Sequence, residues 1–276
     1  MITFKNSIEM KFTNIVKSLI LVSILFIQAC NTVPVTGRKQ VSLLPEDQLI
    51  VMSLTSYSEF MSSHKTSGNI GQTQMVKGVG KNIANAVNTF LKSEGKESLV
   101  AGYQWEYNLV EDAEPNAWCM PGGKIVVYSG IMPFTKDAAG LAVVMGHEVA
   151  HAVARHGNER MSHQIAMEYG AQFLSTFMTE KPEQTKVIFQ QAYGIGAQYG
   201  VMLPYSRMHE SEADKMGLIF MAIAGYDPQT AIAFWERMAQ SGGSKPPEIM
   251  STHPSDGTRI NTLKEFMPEA MKYYKK

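Results

Sequence analysis

Residues 137–156 read DAAGLAVVMGHEVAHAVARH, and within them stands His147-Glu148-Val149-Ala150-His151. On an α-helix, positions i and i+4 share a face with side chains roughly 6 Å apart, so both imidazoles can reach one ion. Glu148 sits one residue further round, where a base for a metal-bound water belongs. The setting suits a buried helix over 137–156. It contains no proline, Leu141, Val144, Met145, Val149 and Val153 make most of its sides apolar, and Asp137 can cap its start. Gly146 weakens a helix, which suggests that another backbone packs close there. The bland alternative is a helix with two exposed histidines by accident.

A third ligand must come from elsewhere. A further His six residues after His151 would give a metzincin, but position 157 is Gly and the nearest His is His156. A second helix over 205–224 (YSRMHESEADKMGLIFMAIA) offers Glu210 and Asp214 at i, i+4, with Ala213 and Gly217 small enough for close helix approach. Glu210 as ligand and Asp214 as acceptor for a ligand imidazole would complete a two-His, one-Glu site with one open position. Glu212 is expected on another face, in solvent.

GHEVAHAVARHGNERMS, then SRMHESEADKMG, then STHPSDGTRI together resemble the gluzincin metallopeptidases that include the HtpX, BepA, LoiP and OMA-type proteases and the CAAX prenyl protease. The resemblance runs from about Pro34 to the C-terminus, with the motifs in the family's order. It implies zinc held at His147, His151 and Glu210, a base at Glu148, and Asp214 orienting a ligand. It also implies that Asn116-Ala117-Trp118 is an edge-strand element on which Asn116 and Ala117 align an extended peptide. A turn Asn and a core Trp are the plain alternative. His253, in the stretch SGGSKPPEIMSTHPSDG, matches the family's His-Pro element, with Arg259 six residues on as a substrate contact. His253 could donate to an oxyanion, occupy the open metal position as a latch, or simply serve a turn. Multi-span members carry several membrane helices that this chain lacks, so the soluble branch is expected, with no room for a C-terminal helical-repeat domain.

The N-terminus fits that branch. Residues 10–17 are basic, 18–28 (SLILVSILFIQ) form a short apolar core, and Ile27-Gln28-Ala29-Cys30 resembles a bacterial lipobox. Three segments are expected: a lipoprotein signal over 1–29, a polar tether over 30–44, and a peptidase domain over 45–276. Lipidation on Cys30 would anchor the protein to a membrane, and Asn31 after it favours the outer membrane, facing the periplasm. An ordinary signal peptide with an incidental Cys is the alternative.

Composition narrows the rest. The formal net charge is zero with 18% charged residues, and no basic patch suggests nucleic acid. With Cys30 lipidated, Cys119 is a lone thiol, expected to be buried and structural. The nineteen Met residues are expected to fill core. Helices are expected over 45–62 and 71–92, strands over 103–110 and 124–128 (KIVVY), and a helix opening at Asp227-Pro228. His156 and Arg155 are expected to cap the metal helix with positive charge, His209 to face elsewhere, and His64 and His163 to lie on the surface. The fold class is α+β, mostly helical and zincin-like, with one small sheet.

The expected function is a zinc metalloendopeptidase of the bacterial envelope. By resemblance alone, its polypeptide substrates would be damaged or misassembled envelope proteins. A chaperone-like lipoprotein that clamps peptides in the same cleft is the alternative from another class; it would not require Glu148. A structural zinc lipoprotein would close the fourth position with a permanent ligand.

Overall fold

The computed structural model describes residues 30–170, 177–193, 207–240 and 258–275. Its centre is a three-stranded sheet of β3 (Glu106–Val110), β5 (Lys124–Tyr128) and β4 (Ala117–Met120), in that order, after a hairpin of β1 (Cys30–Thr32) and β2 (Lys39–Val41). β3 runs parallel to β5, and β4 pairs antiparallel to β5's other side. Side chains alternate across the pleat, and here both faces are covered. Leu109, Ala117, Cys119, Ile125 and Val127 join one apolar cluster, whereas Val110, Trp118, Met120, Val126 and Tyr128 join the other.

Helices supply both covers. Residues of α1 (Glu46–Ser63), α5 (His156–Tyr169) and α7 (Pro182–Tyr193) fill the second cluster, next to short α6 (Phe177–Glu180). Those of α2 (Ile70–Ser93), α4 (Ala138–Val153), α8 (Arg207–Ile223), α9 (Thr230–Gln240) and α10 (Arg259–Ala270) fill the first, after short α3 (Met132–Thr135). In α2, Val76, Val79, Ile83, Val87 and Phe90 form one buried stripe, and Asn69 caps the start by accepting from Gln72 N–H. α4 is enclosed on every side, and Gly140 to Val153 are buried without exception. Asp137 caps it through Gly140 N–H at 2.9 Å, as expected. The architecture is therefore mostly helical α+β with one small three-stranded sheet, to which the β1–β2 hairpin adds a second pairing.

Three expectations change. The metal helix was expected to run to His156, but it stops at Val153. Arg155 takes a left-handed φ of 56°, and α5 starts at once with His156. No Gly or Pro marks that break, so pattern reading passed over it. Residues 30–44, expected as a tether, carry the β1–β2 hairpin, with Val33 fully buried against the first cluster. The helix expected to open at Pro228 begins at Thr230 after a turn.

The α4–α8 crossing sets the site. A Cβ on Gly146 would lie 3.0 Å from Gly217 O, and one on Gly217 would lie 3.0 Å from His147 N. The two backbones touch because both positions lack side chains, as Gly146 and Gly217 suggested. Gly217→Leu would drive α8 off α4, since its contacts are backbone atoms that cannot swing aside. It is expected to cost about 1–3 kcal/mol and to lower zinc retention, read by thermal unfolding and metal content. Wild-type values for both would show that the crossing tolerates bulk.

Candidate metal centre

α4 and α8 bring three donors to one point. His147 Nε2 and His151 Nε2 are 3.0 Å apart, and Glu210 Oε2 and Oε1 lie 3.3 and 3.4 Å from them respectively. All three ligand atoms fall within 4.8 Å of one another, on buried residues. The donors fit a zinc ion. His147 Nδ1 is 2.9 Å from Asp214 Oδ1, and an ionised carboxylate only accepts. With a metal bound, the one remaining hydrogen would therefore sit on Nδ1 and leave the Nε2 lone pair for the ion. Two such imidazoles and a carboxylate, shielded from bulk water, are the donor set of a zinc site that keeps one position open.

Behind His147, Asp214 meets the Arg259 guanidinium, Nε to Oδ2 at 2.8 Å and NH2 to Oδ1 at 2.6 Å. That guanidinium also stacks on Trp235, 3.3 Å from the ring centroid, and is 6% exposed. Arg259, expected to touch substrate, is thus engaged in holding the metal helices together. A cavity of about 170 Å³ lined by Arg207, Glu210, Asp214, Arg259 and Thr262 opens on this side.

A second buried network lies behind His151. His151 Nδ1 is 2.9 Å from His156 Nδ1, and His156 Nε2 is 3.1 Å from Glu212. Arg38, from the hairpin, bridges Glu212 and Glu159, and His209 bonds Glu159 at 2.8 Å. Three expectations are corrected here. Glu212 is buried rather than solvated, because α5 and the hairpin cover the back of α8. His156 is fully buried and caps nothing: burial, only partly offset by Glu212, holds its pKa at about 4, so it is neutral. His209 pairs with Glu159 of α5, and Arg155, at the break between α4 and α5, pairs with Glu46 of α1. His163 is exposed and Cys119 is buried, as expected; His64 is half-buried and stacks on Phe60 at 3.7 Å.

Glu148 is buried on α4, close enough to β4 for its charge to add to the burial that pushes the Cys119 thiol well up. β4 is an edge strand. Tyr128 N–H donates to Asn116 O, which sets Trp118 and Met120 facing β5 and turns the backbone groups of Ala117 and Cys119 outward. Asn116 is buried, and its Oδ1 accepts from Ala117 N–H at 2.8 Å. Cys30 pairs with Val41 in β1, and His253 lies outside the described residues.

A family model, Peptidase family M48, matches residues 79–267. The chain belongs to peptidase family M48. Relatives include the mitochondrial metalloendopeptidase OMA1 of Schizosaccharomyces pombe, 33% identical over 86% of this chain and 66% of that protein. Human metalloendopeptidase OMA1 is 29% identical over 87% of this chain and 46% of its own length. The β-barrel assembly-enhancing protease of Escherichia coli is 25% identical over 85% and 47% respectively. The chain thus spans between about half and two thirds of these relatives' lengths.

Electrostatics gives this M48 site a pH signature. Burial works against charging His147, but Asp214 and Glu210 outweigh it and raise its pKa to about 9. Its proton therefore stabilises the metal-free fold fully below the unfolded value of about 6.5, and that contribution is lost as pH rises through 9. His156, with its pKa lowered to about 4, acts oppositely: its contribution is present above about 6.5 and is lost as pH falls through 4. Burial likewise pushes His151 well down. Metal-free protein is thus expected to unfold at its highest temperature near pH 6.5. A melting temperature that climbs steadily from pH 6.5 to 9 under chelator would contradict this balance.

Proposed function

We propose that the chain is a zinc-dependent endopeptidase that cleaves unfolded or misassembled polypeptides at a bacterial cell envelope, anchored by a lipid on Cys30. The observation that carries this is the convergence of His147, His151 and Glu210, with Glu148 on the β4 side of the same helix. Zinc held by the three would polarise a peptide carbonyl and acidify a water at the open position. Glu148 takes that water's proton and passes it to the leaving amine. Asp214 keeps His147 turned to the centre, and Arg259 keeps Asp214 charged. An extended substrate adds to the open edge of β4 through the Ala117 carbonyl and the Cys119 backbone, with Asn116 setting the strand's start by holding Ala117 N–H. His253 is proposed to approach the same centre, as oxyanion donor or as latch.

Location rests on the N-terminal sequence. The OMA1 relatives are named as mitochondrial, while the lipobox-like Ile27-Gln28-Ala29-Cys30 favours a bacterial lipoprotein. Among the described residues, no helix is long and apolar enough to cross a membrane. Two experiments test the proposal. Zinc-loaded full-length protein should cut casein and stop when a chelator is added; cleavage that survives metal removal would end the zinc reading. Labelled fatty acid should mark the wild type and not Cys30→Ala, and equal labelling of both would end the anchor reading.

A further inference from the structure

The two ligand imidazoles are supported in different ways. His147 meets its carboxylate, Asp214, directly, and Arg259 from the C-terminal helix closes that pair. On the Nδ1 side, among the described residues, His151 reaches a carboxylate through a second imidazole. Its Nδ1 lies 2.9 Å from His156 Nδ1, and His156 Nε2 lies 3.1 Å from Glu212 Oε2. Arg38 grips Glu212 with Nε and NH2, both at 2.9 Å, while Thr36 Oγ1 donates to Oε1 at 2.8 Å. The same guanidinium binds both oxygens of Glu159, at 2.8 and 2.7 Å.

The direction of these hydrogen bonds follows from the charges. A carboxylate beside a guanidinium accepts and cannot donate. His156 must therefore carry its hydrogen on Nε2, which leaves a lone pair on Nδ1. That lone pair accepts from His151, whose hydrogen is thereby fixed on Nδ1. The lone pair of His151 then lies on Nε2, 3.0 Å from His147 Nε2 and 3.4 Å from Glu210. Were Glu212 able to donate, each step could reverse, and His151 would turn an N–H toward the metal.

We propose that Arg38 is a positioning residue for the metal site: it holds Glu212 as a pure acceptor, so that His156 keeps His151 in the tautomer whose Nε2 can bind metal. This rests on the reading of His147, His151 and Glu210 as a zinc site. It assigns the β1–β2 hairpin, 174 residues from Glu212 in sequence, a part in the chemistry beyond packing. The competing account is a pin: Arg38 fastens the hairpin to α5 and α8 and does nothing to the imidazoles.

Tautomers separate the two. In metal-free full-length protein with ¹⁵N-labelled histidine, long-range ¹H–¹⁵N spectra should place the hydrogens on His151 Nδ1 and His156 Nε2. Arg38→Gln should mix these tautomers and weaken zinc binding, measured against a competing chelator, by about 10–100-fold. Arg38→Lys, which keeps the charge but loses the fork, should recover part of that loss. Val87→Ala, a core truncation in α2 remote from the network, should lower the melting temperature and leave both readouts alone. If Arg38→Gln does not fold, Glu212→Gln decides: its amide keeps the shape but can donate, so the same mixing and weakening are expected. Unchanged tautomers and zinc affinity in whichever variant folds, with only the melting temperature lowered, would reduce Arg38 to a pin. Wild-type protein that binds no zinc would end the proposed function, while its tautomers would still test the network.

Discussion

Glu148→Gln is expected to keep its zinc and lose about two to four orders of magnitude in cleavage rate. The substitution preserves volume and removes only the proton acceptor, so the fold around a residue 3% exposed should stay intact. Glu148 is one residue round α4 from His147 and lies toward β4, where the substrate strand is proposed to sit. It is not among the three convergent donors, so metal content should not follow activity downward. The loss should fall on kcat rather than KM, because the proton moves only during the reaction. Wild-type-like cleavage of casein by this variant would remove the chain from a metal-and-base mechanism altogether.

Glu210→Ala should do the opposite, abolishing zinc retention and cleavage together. Among the described residues, Glu210 is the one carboxylate within reach of both ligand Nε2 atoms, at 3.3 and 3.4 Å. Without it the two imidazoles bind an ion without charge compensation in a buried pocket. Arg259 NH1, 3.5 Å from Glu210, would then add an uncompensated positive charge beside them. Metal analysis after gel filtration reads this directly. Full occupancy in Glu210→Ala would mean that the third ligand comes from elsewhere.

Much of this was legible in sequence because it is local. His147 and His151 share a helix face by spacing alone, Asp137 signals a cap, and Gly146 and Gly217 signal a close crossing. Glu210 and Asp214 followed from the same i, i+4 rule applied to a second apolar helix. What escaped depends on chain reversal and distant partners. The break at Arg155, in a left-handed conformation without Gly or Asn, returns His156 to His151, and no residue type announces it. Glu212 read as solvated and His209 as facing elsewhere because α8 is polar there, yet α5 and the hairpin cover both. Arg259 read as a substrate contact because its partner Asp214 stands 45 positions away in the chain. The one available signal was an excess of His, Glu and Arg on α5 and α8 that exposed helix faces would not need.

The arginines that back the two imidazoles come from opposite ends of the described chain, Arg38 near its beginning and Arg259 near its end. Arg38 reaches across 174 residues to Glu212, and Arg259, through Asp214, holds a histidine 112 residues away. Contacts of such separation close late, because the entropy of long loops is lost before the contacts form. Helices α4 and α8 can exist, and can even cross, in a chain whose histidines are still free to take either tautomer. Competence to bind metal therefore belongs to the finished molecule, and a half-folded copy of this peptidase carries its sequence motif without its edge.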